Sequence, residues 1–334
     1  MTANCGTEPM PVPDDELGSL ERAWVHVSSA AARVRSDRPW REQELADLDV
    51  PLARLFDDLR LGPWTLALCQ AALGEQISGD WTRASALDLL ANIAAAGGVL
   101  DFFRAATFAY EFTDGTGSLI DALARDGDPE IRTGEPVREV AQGDGGVRVR
   151  TDRGDYRARL AVSALPLNVL AHVDMQPALD GDRARCVAHG HVGGGVKVWA
   201  IAEPVPDGLL AYSAGTALQL VAYDRPLEQG ALLVGFGSGP LDGNDPEAVQ
   251  AALAPVLPGV VVHASCGHDW VRDPFSRGTW AVQPAGTAAT WQALPGAHGR
   301  VVFASGDIGP RWAGYIDGAV DAGAHAATTA LSLL

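Results

Sequence analysis

Residues 301–327 read VVFASGDIGPRWAGYIDGAVDAGAHAA, and their order decides the fold class. Val301, Val302 and Phe303 form a short β-branched and aromatic run of the kind that fills a buried strand. A turn rich in Gly carries Asp307, and from Tyr315 to the C-terminus the chain reads as one helix. Small residues at Gly318, Ala319, Ala322, Gly323, Ala326 and Ala327 allow that helix to pack closely. The N–H groups at its start, around Gly314 and Tyr315, have no earlier turn to pair with, and the positive end of the helix dipole favours negative charge there. Strand, acid-bearing turn and helix predict an α/β protein, with α+β character because the upstream helices and strands cluster separately.

Upstream, GGGVKVWAIA at 193–202 is an apolar strand in which alternation puts Lys197 on one face with Trp199 and Ile201. Lys197 is the only lysine; every other one of the 25 basic residues is arginine. With abundant Ala and Gly, this bias resembles GC-rich coding that replaces lysine wherever arginine serves. A lysine that persists is expected where a compact point charge with a movable pKa is needed. Lys197 then sits either at the mouth of its strand or partly desolvated with a lowered pKa.

The first third reads as helical: Leu17 to Arg38, PLARLFDDLRL, GPWTLALCQAALGEQI, and ASALDLLANIAAA ended by Gly97-Gly98. From Thr107, TFAYEF is strand-like and GTGSLIDALARDG is a short helix. EIRTG, PVREVAQ, VRVRTD, DYRARLA and AVSAL follow as short strands, and Pro166 opens another helical stretch. LQLVAY, ALLVGFG and VVVHASCGHDW read as strands, and Asp245-Pro246 starts a helix. Residues 1–14 are expected to be a disordered tail with a natural start at Met1, and Asp14, Asp15 and Glu16 a solvated run.

The 334 residues allow two domains or one large discontinuous fold. A formal net charge of −17 argues against nucleic acid and acidic membrane as partners and gives weak support for a cationic ligand. Without a signal peptide, a membrane-length apolar run or a C-x-x-C pair, a cytoplasmic protein with free thiols is expected. His263, Cys266, His268 and Asp269 alternate across two strand faces, so no metal site is expected. His189 and His191 read as loop residues.

A dinucleotide fold needs G-x-G-x-x-G between a strand and its helix, with an acid about 20 residues later. GFGSG at 235–239 is followed by PLDGND, which does not start a helix, and HGHVGGGV precedes a strand. The chain therefore lacks the glycine turn that cradles a pyrophosphate.

The stretches DGTGSLIDALA, EPVREV, VSALPLNVL, GGGVKVWA, HDWVRDPFSRGTWAVQPAG and 301–327, with DRPW upstream, resemble the flavin-dependent amine oxidases of the monoamine oxidase type over about 300 residues. The resemblance implies an incomplete FAD-binding domain at 107–170 and 299–334. It further implies a substrate domain of mixed sheet and helices at 15–106 and 171–298. It gives Lys197 the catalytic position near the flavin, reaching N5 through a water. It also places Trp280, Tyr315 and Trp199 against the substrate, and Val137, Trp270, Asp307, Gly314 and Tyr315 among the cofactor contacts. Thr279 stands where covalently flavinylated members have cysteine, so the FAD would be non-covalent. Trp280 replaces a common tyrosine, which alters the cage for the substrate amine.

Three readings stay open at this point. In the first, a partner subunit carries the missing G-x-G-x-x-G unit and FAD is shared between chains during oxidation of a C–N bond in an amine or amino-acid-like substrate. In the second, the pocket works without flavin in a biosynthetic cyclisation, isomerisation or aldol-type step, with Lys197 as acid, base or nucleophile. The third is a non-catalytic pseudo-oxidase that stabilises a partner.

Overall fold

The structure, a computed structural model, describes residues 2–5, 12–38, 42–77, 79–107 and 110–334. The helices α1 (Leu17–Ala31), α2 (Pro63–Gln76), α3 (Ala86–Ala96) and α4 (Val99–Thr107) form its first part. The PLARLFDDLRL stretch is a 3-10 helix over Leu52–Leu59 rather than an α-helix. α2 starts with Pro at its first position, where the missing N–H is not needed. Its free N–H groups at Trp64 and Thr65 donate to the Glu16 carboxylate at 3.0 and 3.3 Å, and the Thr65 hydroxyl adds a bond of 2.7 Å. Glu16 is therefore buried as a cap on a distant helix, not part of a solvated run. α3 ends at Gly97, whose φ of +94° is the left-handed conformation such an end requires.

Four other expectations change. Thr2–Cys5, in the stretch expected to be disordered, is a strand, β1, held by backbone pairing; residues 6–11 lie outside those described. Of TFAYEF, expected as a strand, Thr107 ends α4 and Tyr110–Phe112 have no strand pairing, while 108–109 lie outside the described residues. EIRTG is irregular, with Ile131 exposed. VVVHASCGHDW is a strand only to Gly267, where the chain turns. Of the DRPW motif, Pro39 and Trp40 fall outside the described residues.

Beyond α5 (Gly117–Gly127) come β2 (Val137–Gly143), β3 (Gly146–Thr151), β4 (Asp155–Ala158), β5 (Ala161–Ser163), α6 (Leu167–Leu170), β6 (Asp174–Gln176) and α7 (Gly181–His189). The strands β7 (Gly195–Glu203), β8 (Leu210–Ser213), β9 (Leu218–Leu227) and β10 (Gly230–Ser238) precede α8 (Pro246–Leu253) and β11 (Val261–Gly267). The chain closes with α9 (Ala288–Trp291), β12 (Gly296–His298), β13 (Val301–Phe303) and α10 (Ile316–Leu333).

Three sheets result, ordered β1-β8-β9-β10-β7-β11, β4-β3-β2-β6 and β12-β13-β5. The first is antiparallel throughout, and α8 covers one face through Val249, Leu253, Val198 and Val262. A second core, built from Leu52, Leu87, Leu90, Ile93 and Phe102, lies within the helices. A third joins Val140, Met175 and Val301 to Cys186, Trp291 and Leu294.

The third sheet positions the site. β5 and β13 run parallel, so the loops after Ser163 and Phe303 leave from the same end. The other edge of β5 has no strand partner among the described residues, and Val162 is 51% exposed. α5 buries no residue, leaving Ile120 and Leu123 in solvent. Parallel sheets are normally covered and wider than this. Among the described residues, no helix is long and apolar enough to cross a membrane.

Candidate active site

The β7–β10 ladder sets Lys197 opposite Phe236 and Trp199 opposite Val234. Residues paired in this way project from the same face, so the lysine lies among rings. Its Nζ is 5.0 Å from the Trp199 ring centroid and 5.2 Å from that of Phe236, within cation–π range. Burial lowers the Lys197 pKa below the usual lysine value, and the Asp224 negative charge acts against that shift.

Phe236 meets Trp280 edge-on, with ring centroids 6.2 Å apart. The Trp280 indole N–H donates to the carbonyl of Gln76 at 3.1 Å, tying this ring to the end of α2. Next to Trp280, Ala281 is crossed by Gly314, whose φ is +82°. A Cβ on Gly314 would stand 2.8 Å from the Ala281 carbonyl oxygen, so only glycine permits this approach. The crossing seats Tyr315, edge-on to Trp312 at 5.2 Å, while Trp312 stacks on Phe102 at 6.4 Å. Trp312 and Tyr315 close the site against the helical core.

Two buried acids stand behind this wall. Desolvation pushes Glu75 up to about 7, opposed by a hydrogen bond from Gln76, and pushes Asp88 up to about 6, opposed by the Gln283 N–H at 3.0 Å. The Tyr315 phenol is raised by burial first and then by the negative charges of Glu75 and Asp88. A cavity of about 690 Å³ borders Asp88 and Trp312 and is lined also by Asn92, Trp291, Ile308 and Asp321. Lys197 and Trp280 do not line it.

Asp307 lies in the turn after β13. Its Oδ2 accepts the Leu167 N–H at 2.7 Å, which links the two loops that leave the parallel pair β5 and β13. His191 is a loop residue, as expected, but a buried one: burial lowers its pKa and Asp307 opposes that shift. Tyr315 caps α10 without a side-chain hydrogen bond, so the N-terminal donors of an 18-residue helix keep no side-chain acceptor. Acid, helix end and the carboxyl ends of parallel strands make the kind of crevice in which nucleotide cofactors bind. This donor set fits the ring and sugar side of a flavin. It supplies no glycine cradle for the phosphates.

The other expected contacts are spread out. Trp270 is 48% exposed on the turn after β11 and packs edge-on against His268 at 4.2 Å. Val137 opens β2, in a different sheet from Lys197. His263 pairs with Glu203 at 3.0 Å and His268 with Asp273 at 2.8 Å; among the described residues no three ligands gather for a metal. Phe236, Glu75, Trp312 and Phe102 join the site without having been singled out in the sequence.

A β-sheet with a ring-bounded lysine, packed on helices beside a short parallel α/β unit, is the architecture of a flavoenzyme family. The profile of that family, flavin containing amine oxidoreductase, matches residues 36–331, and the chain belongs to it. It is 30% identical over 319 residues to (S)-6-hydroxynicotine oxidase of Paenarthrobacter nicotinovorans, covering 93% of this chain and 73% of that protein. It is 36% identical over 221 residues to pseudooxynicotine dehydrogenase of Pseudomonas sp, covering 64% of this chain but only 44% of that relative's length. Putrescine oxidase bound to putrescine superposes with a TM-score of 0.80 at 20% identity, over 96% of this chain and 76% of the other. Cyclohexylamine oxidase from Brevibacterium oxydans IH-35A gives 0.76 at 20% identity, over 100% and 83%. These superpositions bear out the α/β fold class.

Proposed function

We propose that this chain is the substrate and flavin-ring half of an amine oxidase-type oxidoreductase, which removes a hydride from a carbon next to nitrogen. The observation that carries this reading is the Lys197 ammonium against the Trp199 and Phe236 rings, with Phe236 edge-on to Trp280. Trp280 and Tyr315 flank the amine, their faces holding it by dispersion and π contact. Phe102 and Trp312 keep water from that wall. Lys197, with its lowered pKa, holds a proton at Nζ beside the reacting centre. Asp307, Gly314 and the start of α10 hold the ring and ribityl side of the cofactor, and the helix end favours negative charge there. FAD, bound non-covalently, supplies the two-electron acceptor, with O₂ as the final oxidant.

The ADP part of FAD is held, in this reading, by a G-x-G-x-x-G unit on a partner subunit. Two observations support it: the sequence has no such motif, and among the described residues the parallel sheet ends at β5, whose outer edge has no strand partner. In the same reading 15–106 with 171–298 form the substrate part, and 107–170 with 299–334 the partial FAD-binding part. The test is anaerobic mixing of the flavin-loaded complex with an amine. Bleaching of the flavin that slows in Lys197→Met supports the reading, and a Lys197→Met variant bleached at the wild-type rate overturns it.

The half-buried lysine also favours a second reading, in which Lys197 acts without flavin as acid, base or nucleophile. Borohydride trapping of a substrate adduct on Lys197 in flavin-free protein would select it.

A further inference from the structure

His191 stands where the segments carrying Lys197, Trp280 and Asp307 meet. It is 7% exposed, and its Nδ1 accepts the Gly193 N–H at 3.2 Å. Gly193 leads into β7, on which Lys197 is the third residue. The Gly193 carbonyl accepts the Thr279 N–H at 3.1 Å, and a Cβ on Gly193 would overlap the Trp280 carbonyl oxygen. The imidazole lies against Gly278, where a Cβ would overlap the ring. Asn168 of α6 brackets the His191 backbone: its Oδ1 accepts the His191 N–H at 2.7 Å, and its Nδ2 donates to the carbonyls of His191 and Arg277 at 3.2 and 2.9 Å. Leu167, the neighbour of Asn168, donates to Asp307 at 2.7 Å.

Because Nδ1 is an acceptor, the neutral ring carries its proton on Nε2. Protonation sets an Nδ1–H against the Gly193 N–H, two donors face to face, and that bond is lost. We propose that His191 is a positioning residue: its neutral ring, acting through Gly193, fixes Lys197 and Trp280 relative to the Asp307 turn, and protonation of the ring loosens both. This rests on the reading of Lys197 and Trp280 as the reacting site. The segments joined at the ring, 163–170, 189–195, 276–283 and 304–309, hold three titratable or charged side chains: His189, Arg277 and Asp307. His189 is exposed, and Arg277 meets the cluster through its backbone carbonyl. The Asp307 charge favours the imidazolium without overcoming burial. The ring therefore stays neutral to below its ordinary value of 6.5; the hold is complete above that pH and is lost as pH falls through the folded value.

The test uses the full chain grown on carbon-13-labelled lysine, in which Lys197, as the only lysine, gives a single side-chain spectrum by NMR without flavin. Asparagine keeps an acceptor at the place of Nδ1 and does not titrate. Between about pH 5 and 7 the wild-type Lys197 signal is expected to move through a step that His191→Asn lacks. The comparison with that variant removes the contributions of Glu75 and Asp88, which titrate at about 7 and about 6. In the flavin-loaded complex at about pH 7.5, amine is expected to bleach His191→Asn within about threefold of the wild-type rate and His191→Leu about tenfold more slowly. Should His191→Leu fail to fold, the asparagine variant carries the comparison, through an acid loss of rate that it no longer shares with wild type. A Lys197 step that persists in His191→Asn, or is absent from wild type, overturns the positioning role whatever the flavin chemistry, and so does His191→Leu bleached at the wild-type rate. A wild-type complex that amine fails to bleach sinks the function proposed for the site, and the lysine signal then decides the role of His191 alone.

Discussion

Phe236 stands opposite Lys197 in the β7–β10 ladder, its ring 5.2 Å from the ammonium and edge-on to Trp280 at 6.2 Å. One aromatic side chain thus links the lone lysine to the Trp280 ring. Both rings lie within cation–π range of the ammonium, and burial outweighs the Asp224 charge in setting its pKa.

Arginine at 197 keeps the charge but is planar, larger and not deprotonated in proteins. Lys197→Arg is therefore expected to slow flavin reduction by amine about 100-fold or more, the range in which a positioned proton-transfer group acts. Stopped-flow absorbance of the complex measures this. A variant with full activity would remove the lysine from the chemistry and favour a non-catalytic role for the chain.

Glu75 has a folded pKa of about 7 against an ordinary 4.5. A raised pKa means that the fold prefers the neutral form, so stability is full at acid pH and declines as pH rises from the unfolded value through about 7. Glu75→Gln removes that decline. It is expected to match wild type near pH 4 and to exceed it at about pH 8 by an upper limit of roughly 3 kcal/mol. Urea unfolding at both pH values decides; a variant equally destabilised at both would show that the acid is not held neutral by burial.

Gly314 has φ +82° and no room for a Cβ beside Ala281. Gly314→Ala is expected to cost about 1–3 kcal/mol of stability and to displace Tyr315, weakening amine binding. Chemical denaturation and amine titration of one preparation check both. Unchanged binding would separate Tyr315 from the substrate.

Val162 lies on β5, whose outer edge has no strand partner among the described residues, and is 51% exposed. A lysine on an exposed strand edge discourages further strand pairing. Val162→Lys is expected to leave circular dichroism and unfolding midpoint unchanged and to abolish co-purification with the proposed partner subunit. Retained co-purification would place the partner elsewhere.

Parts of this site were legible in the sequence. Period-two alternation was enough to put Lys197 and Trp199 on one face, and the GYIDGA stretch marked the start of α10. Phe236 was not legible, because its place opposite Lys197 depends on ladder register across two intervening strands. Glu75 was not singled out in the sequence, because its burial comes from α2 packing on β8 and β9, which no local pattern encodes. Glu16 was misread for a similar reason, since the donors that bury it lie 48 and 49 residues away. The short exposed segment EIRTG has strand-like composition, but local propensity is a weak guide where no strand pairing forms.

The central claim, that this chain holds the flavin-ring side and needs a partner for the phosphates, is tested most directly by visible absorption. The chain would be purified alone and after co-expression with the product of the neighbouring gene. The account predicts no flavin bands from the chain alone and stoichiometric FAD in the complex. Stoichiometric FAD in the chain alone would contradict the need for a partner, and a complex without flavin that still turns over amine would contradict the flavin chemistry itself.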